Sequence, residues 1–443
     1  MGIFIFESPR VGPVDRISLT DEHQRAVDLI VARQNVEICG KAGCGKSTFT
    51  NIILRDLLRG QQLSFAYVAP TGMAAVNVGG STIHSFFGFR IVDIFHPEIT
   101  WKAFKRRSDK VRLLRNIDTI VIDEISMVRS DMFDAIELVC REAQTGKRKN
   151  LPFGGIQIIL VGDFYQLEPV VKVGICEELQ KLYPDGYSLR DSGAFKRGDF
   201  VSIEFSKNFR QDADHEFATI LDNIRAGKIA LRQLEMLNQR YQIGEMGICI
   251  VGNNRTAEKI NREELEKIPG KLRVFAAMVE GDGVVAPSPE KLELKPGARV
   301  MFTANNGAEW QNGTMGEVSS FAQRDDGTSV VIVNDSHGFR HSVVPHLWTK
   351  IDYSTDSAGK LQENVVGKFT QFPIRLAWAI TAHKSQGQTL DRVTLQNPNA
   401  FFGDAARMFY VALSRVRSLE DIRLEQKIRP QSLVRYGIAV TAE

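Results

Sequence analysis

Strand-like apolar runs alternate with helix-like stretches from residue 35 to about 205, which predicts a parallel sheet wrapped by helices. The strands fall at 35–40, 63–69, 118–123, 156–162 and 200–205, and each of the first four runs directly into a polar motif. Ligands bind in that position, beyond the carboxyl ends of parallel strands. Lys46 to Leu58 has helical apolar spacing and no proline. A second alternating block starts near Asp212: helical 213–227 and 230–240, strand 247–252, helical 255–268, strand 392–396, helix 404–415 and strand 421–425. Between its halves, about 290 to 370, the pattern changes to short β-branched runs such as Val330 to Val333. Turn signals punctuate them at Lys295-Pro296-Gly297, Asn312-Gly313 and Asp325-Asp326-Gly327. A small β-barrel inserted into the second α/β unit accounts for this.

At 443 residues, with 43% hydrophobic and 25% charged positions, the chain has the composition of a globular protein of two to four domains. No apolar run approaches the ~20 residues of a membrane span. The start, MGIFIFESPR, lacks a basic leader and places Phe6 where a myristoylation signal needs Ser or Thr. Five cysteines without a CxxC pair read as reduced thiols, so a cytoplasmic setting is expected. A net charge of +3 does not by itself point to nucleic acid. Its distribution says more: Lys102, Lys105, Arg106, Arg107, Lys110, Arg112 and Arg115 face the lone acid Asp109 in one short stretch. That patch suits either phosphate binding or a solvated helix face.

Candidate chemistry begins with Gly40-Lys41-Ala42-Gly43-Cys44-Gly45-Lys46-Ser47, which fits GxxxxGK[ST] between a strand and a helix. The glycines let backbone N–H groups curl around a polyphosphate, Lys46 adds charge at the β/γ oxygens, and the Ser47 hydroxyl can ligate Mg2+. Ile120-Val121-Ile122 runs into Asp123-Glu124, a buried strand ending in two carboxylates: Asp123 suits the metal and Glu124 the attacking water. Ile158 to Val161 leads into Gly162-Asp163-Phe164-Tyr165-Gln166, where Gln166 can sense the γ-phosphate. Arg210 and Arg415 lie outside the first lobe, where a positive finger would make hydrolysis depend on lobe closure. His337, His341 and His346 lack the cysteine or carboxylate pattern of a metal site.

Taken in order, GKAGCGKST, APTGMAA (69–75), STIHSFFGF (81–89), IDEISMV (122–128), GDFYQLEPV (162–170), NFRQ (208–211), TAHKSQGQTLDRV (381–393) and YVALSRVRS (410–418) resemble the motifs of superfamily 1 helicases. PFGGIQIILVGDFYQLEPV and TGMAAVNVGGSTIHSFFGF resemble the Pif-type helicases of group B. One departure is Glu168, where many relatives carry proline.

The resemblance implies an α/β fold of two RecA-like P-loop lobes. Residues 1–205 would form the first, including a small wedge at 88–115; 206–290 and 371–443 the second; and 291–370 an inserted Src-homology-3-like barrel. It further implies an ATP- and Mg2+-dependent helicase that walks 5′ to 3′ on single-stranded DNA and opens tailed duplexes, with G-quadruplexes and RNA–DNA hybrids as further substrates. Carried over by position, Gln24 would bind adenine. Gly40, Gly43, Cys44, Gly45, Lys46, Ser47 and Thr48 would cradle the phosphates, and Gly387 would lie near the γ-phosphate. Lys46, Asp123, Glu124, Gln166, Arg210 and Arg415 would be catalytic, with Ser47 and Asp123 on the metal. Pro70, Thr71, Gly72, Thr82, His84 and Phe86 in one lobe, and His383, Lys384 and Ser385 in the other, would grip the strand, although Phe86 equally suits a core position. A monomer of bacterial or phage origin, acting near the nucleoid in replication and repair, completes the expectation. Two rivals share parts of this pattern: a RecD-type motor subunit of an exonuclease complex, and an ATP-gated clamp that binds single strands without unwinding.

Overall fold

In the computed structural model of the chain, described residues run from 19 to 441, apart from 91, 167–168, 170, 172, 208, 210–213, 243, 245–246, 282–283, 308, 400–404 and 436. Six parallel strands build the first sheet: β1 (Val36–Gly40), β2 (Phe65–Ala69), β3 (Ser81–Thr82), β4 (Thr119–Ile122), β5 (Gln157–Gly162) and β6 (Val201–Phe205), in the order β3-β2-β4-β5-β1-β6. Five of these are the strands the apolar runs predict. β1, β2, β4 and β5 are buried along their whole length, as a sheet covered by helices on both faces requires. β3, only two residues long, has too short a pattern to announce itself.

The second lobe repeats the logic with four parallel strands in the order Ala379–Thr381, Ile248–Val251, Val393–Leu395, Ile422–Leu424. Its core gathers Ile248, Ile250, Val393, Leu395, Ile422 and Leu424 with Phe217, Ile220, Phe409 and Leu413 from the flanking helices His215–Arg225 and Ala405–Leu413. Among the described residues no helix is long and apolar enough to cross a membrane.

Between the halves of the second lobe the antiparallel character is as expected, but its extent is wider than 291–370. A five-stranded sheet runs Arg340–Val343, Ser329–Asp335, Met315–Gln323, Arg299–Phe302, Ile374–Leu376. Lys291–Leu294 pairs outside it with Arg273–Ala276. The long hairpin His346–Thr355/Leu361–Gln371 takes Met278–Gly281 as a third strand. Antiparallel partners can lie far apart in sequence, so local patterning places the strands without saying which pair.

The hairpin ties this insertion to the first lobe. Tyr353 is 1% exposed within the first lobe's core and packs edge-on against Phe86 at 5.5 Å between ring centroids. Its hydroxyl accepts the backbone N–H of Tyr67 in β2 at 3.2 Å. Beside it Lys110 donates to Asp352 at 2.9 Å, and Arg112 donates to the carbonyl oxygen of Ser357 at 2.6 Å. Lys110 and Arg112 belong to the helix Ser108–Asn116, which with Pro97–Phe104 forms the basic segment after β3.

Candidate functional site

The phosphate-binding loop leaves β1 at Gly40. Gly43 and Gly45 take φ of +86° and +83°, the left-handed region that glycine enters without strain. A Cβ on Gly40 would lie 2.5 Å from the Cys44 sulfur and 2.7 Å from the Phe205 carbonyl, so the loop can close only over glycine. The helix that follows starts at Lys46 and takes a π turn over Phe49–Leu54 before resuming as an α-helix to Gly60. Lys46 Nζ donates to the carbonyls of Gly40 and Lys41 at 2.7 and 2.8 Å, which holds the ammonium at the mouth of its own loop. Ser47 and Thr48 open the helix beside it.

β4 delivers Asp123 and Glu124 to the same cleft. Glu124 takes φ +50°, uncommon for a non-glycine residue and typical of functional positions, and its N–H donates to Asp123 Oδ1 at 2.9 Å. Burial raises both carboxyls, Asp123 to about 6 and Glu124 to about 7, the latter lifted further by Asp123; Lys46 opposes the rise in both. A carboxyl poised near neutrality suits a proton acceptor.

The second lobe reaches into this cleft through several groups. Gln386 Nε2 donates to Glu124 Oε2 and to Gln166 Oε1, each at 3.0 Å, joining the two catalytic candidates of the first lobe. Asp163, 1% exposed, accepts from Gln166 at 3.2 Å, from Arg225 at 3.4 Å and from the Tyr410 hydroxyl at 3.4 Å. That same hydroxyl accepts the N–H of Ala42 in the loop at 3.4 Å. Arg407 donates to the carbonyls of Phe164 and Gln166, and Lys41 pairs with Asp222 at 2.5 Å. Sequence patterning alone does not single out Gln386, Asp163, Arg225, Arg407 or Tyr410. Gln386, Asp163 and Tyr410 lie inside recognised motif strings, but their partners are brought to them only by the fold.

Arg415 lies at the lobe junction yet is turned inward, 1% exposed. It donates to the carbonyls of Val411, Ser385 and Gln388 and to the Ser414 hydroxyl. Arg210 and Glu168 lie outside the described residues. Gly387, at φ +77°, is exposed, and a Cβ built there would meet nothing within 4 Å. Gln24 donates to Asp28 at 2.9 Å along its own helix, Asp21–Val31.

The strand-gripping candidates divide. Thr71 and Thr82 cap the helices that follow them, accepting from Ala74 and Ser85, and with Pro70, Gly72 and His84 they remain half-exposed. His383 and Lys384 are exposed on the other lobe. Ser385 is fully buried and spends its hydroxyl on the Ala382 carbonyl. Phe86 is fully buried between Phe87 and Tyr353, so its ring serves the core and presents no face for a base. The basic patch divides too. Lys110 and Arg112 are committed to the hairpin and Arg115 to the Ala143 carbonyl, while Lys105, Arg106 and Arg107 are exposed at the turn between the two helices.

Residues 18–235 match the family model described as PIF1-like helicase. The chain is 32% identical to the ATP-dependent DNA helicase Pif1 of Bdellovibrio bacteriovorus, covering 93% of this chain and 89% of that protein. Among solved structures it is similar to Bacteroides Pif1 in complex with ADP-AlF4, at 32% identity, 94% coverage of both chains and a TM-score of 0.81. Against Bacteroides Pif1 bound to single-stranded DNA, at the same identity and coverage, the TM-score is 0.61. Motif order, the two parallel sheets and these likenesses agree: the chain belongs to the PIF1-like helicase family.

Proposed function

We propose that this chain hydrolyses ATP in the cleft between its lobes and converts the cycle into 5′ to 3′ movement along single-stranded DNA, parting duplex ahead of it. One observation carries the reading: Gln386 of the second lobe is bonded at once to Glu124 and Gln166 of the first. Any change at the γ-phosphate felt by those two side chains is therefore felt by the other lobe. Lys46 holds the phosphates, Glu124 takes the proton of the attacking water, and Gln166 reports the state of the γ-phosphate. Arg415, leaving its carbonyl partners as the lobes close, supplies charge to the breaking bond, and Arg210 does so from the start of the second lobe.

Ser47 and Asp123, a hydroxyl and a carboxylate beside a glycine-lined loop, suit a hard divalent cation, and Mg2+ held there would neutralise phosphate charge. Pro70, Thr71, Gly72, Thr82 and His84 on one lobe and His383 and Lys384 on the other are the two gripping surfaces, whose alternation turns closure into a step. G-quadruplexes and RNA–DNA hybrids are further substrates on this reading, with roles in replication and repair.

Unwinding of matched duplexes bearing either a 5′ or a 3′ single-stranded tail, with ATP and Mg2+, tests the proposal. Strand displacement is expected from the 5′-tailed duplex alone. Turnover stimulated by DNA without displacement of either would instead favour a clamp.

A further inference from the structure

His23 occupies a place in this site that no motif assigns. It is 5% exposed and sits among three phenylalanines: stacked on Phe49 at 5.6 Å, edge-on to Phe205 at 4.4 Å, and nearly parallel to Phe209 at 6.5 Å. Its Nδ1 accepts the N–H of Thr20 at 3.2 Å as part of a capping box that opens the helix Asp21–Val31. Burial lowers its pKa, against a smaller opposing effect of Glu22, so the ring is neutral near pH 7. A neutral imidazole whose Nδ1 accepts must carry its proton on Nε2. That Nε2 is buried and has no hydrogen-bond partner among the described residues. A Cβ built on Gly45 of the phosphate loop would come within 3.8 Å of it, and within 3.4 Å of Phe209, whose own N–H donates to the Gly43 carbonyl at 2.9 Å.

Sheet order says which end of a nucleotide this donor faces. β1 carries the loop and lies between β5 and β6. The carboxylates follow β4, on the β5 side; Phe205, against which His23 packs, ends β6. The reacting end of a triphosphate therefore lies toward β4, and its nucleoside end toward β6 and His23. A single uncharged N–H among aromatic rings suits a heteroaromatic base better than an anionic oxygen.

We propose that His23 reads the base of the bound nucleotide by donating from Nε2 to N7 of a purine, so that adenine and guanine nucleotides are accepted alike. This deepens, and rests on, the nucleotide-driven reading above. A glutamine amide would offer a donor and an acceptor together and could read N7 and the adenine amino group at once. Gln24, the glutamine next to His23 in sequence, is engaged with Asp28. His23 has one donor to give, and N7 is common to both purines.

The test uses the full-length protein with ATP, GTP, CTP and 7-deaza-ATP, which replaces N7 by C–H. DNA-stimulated hydrolysis and competition against a ribose-labelled fluorescent ADP are both measured. Expected are ATP and GTP within about threefold in KM and affinity, and CTP and 7-deaza-ATP weaker by about tenfold, the loss of one hydrogen bond, with kcat for 7-deaza-ATP unchanged. In His23→Phe, which keeps the aromatic packing, ATP falls to the level of 7-deaza-ATP. Equal binding of ATP and 7-deaza-ATP by the unaltered protein, or a preference for ATP over GTP beyond about tenfold, overturns the inference whether or not the variant folds. If hydrolysis responds to DNA but N7 does not matter, this inference alone fails. If N7 matters but DNA leaves hydrolysis unchanged, His23 keeps its role and the motor reading fails.

Discussion

Gln386 joins the two lobes through a single side chain. It donates to Glu124 and Gln166, 262 and 220 residues away in sequence, and no local pattern could have announced either partner. A hydrogen bond to a charged group is worth about 1.5–3 kcal/mol. Gln386→Ala should therefore slow DNA-stimulated turnover by about ten- to a hundredfold with little change in KM, measured by steady-state kinetics. Lys46→Ala and Glu124→Gln should each abolish turnover while single-strand binding, followed by fluorescence anisotropy, persists. Normal hydrolysis by either would remove it from the site. Arg415→Ala should cost about 10³-fold in turnover if the side chain leaves its carbonyl partners to act as a finger. An unchanged rate would leave it as the buried brace that its bonds to Val411, Ser385 and Gln388 describe. Lys46, Asp123, Glu124 and Gln166 were legible because each sits where an apolar strand ends in a polar string. Phe86 was not resolved by its motif, because aromatic neighbours at helical spacing serve a core and a base equally well.

At the scale of elements, the apolar strands that the pattern named in both lobes were readable to within one or two residues, since a buried parallel strand is a local signal, whereas Ala379–Thr381, only three residues long, was missed. The insertion was readable only as a change of texture. Its turns are local, whereas the pairing of Lys291–Leu294 with Arg273–Ala276, and the reach of the hairpin to β2, are set by residues distant in sequence. That hairpin is a structural brace as well as part of the insertion. Tyr353→Phe keeps the ring against Phe86 but leaves the buried N–H of Tyr67 without its acceptor, at a cost of about 1–3 kcal/mol. Lys110→Met would test the neighbouring pair: Lys110 is 7% and Asp352 32% exposed at the side chain, so the carboxylate can rehydrate and the loss should be smaller, about 1 kcal/mol. Denaturant unfolding of the two variants checks the order. A larger loss from Lys110→Met would mean that charge, and not the Tyr353 anchor, holds the hairpin down.

For the molecule as a whole, two lobes share one nucleotide cleft, and the hairpin fastens the insertion of the second lobe to the first. Charge marks where a duplex would meet this assembly. Of the seven cations between residues 102 and 115, Lys110, Arg112 and Arg115 are already spent on the protein, and Lys105, Arg106 and Arg107 stand exposed together at one turn. Exposed cations at a helix–helix turn either pair with phosphates or are merely solvated, and the salt dependence of binding separates the two. Replacing all three with alanine should lower the slope of log affinity against log salt on a tailed duplex by about 2–3, near 0.9 for each phosphate that the protein no longer neutralises. Strand displacement should fall in step while turnover on a short single strand is retained. The same slope and the same displacement rate as the unaltered protein would mean that this turn does not meet the duplex, and the separating edge would have to be sought elsewhere on the first lobe.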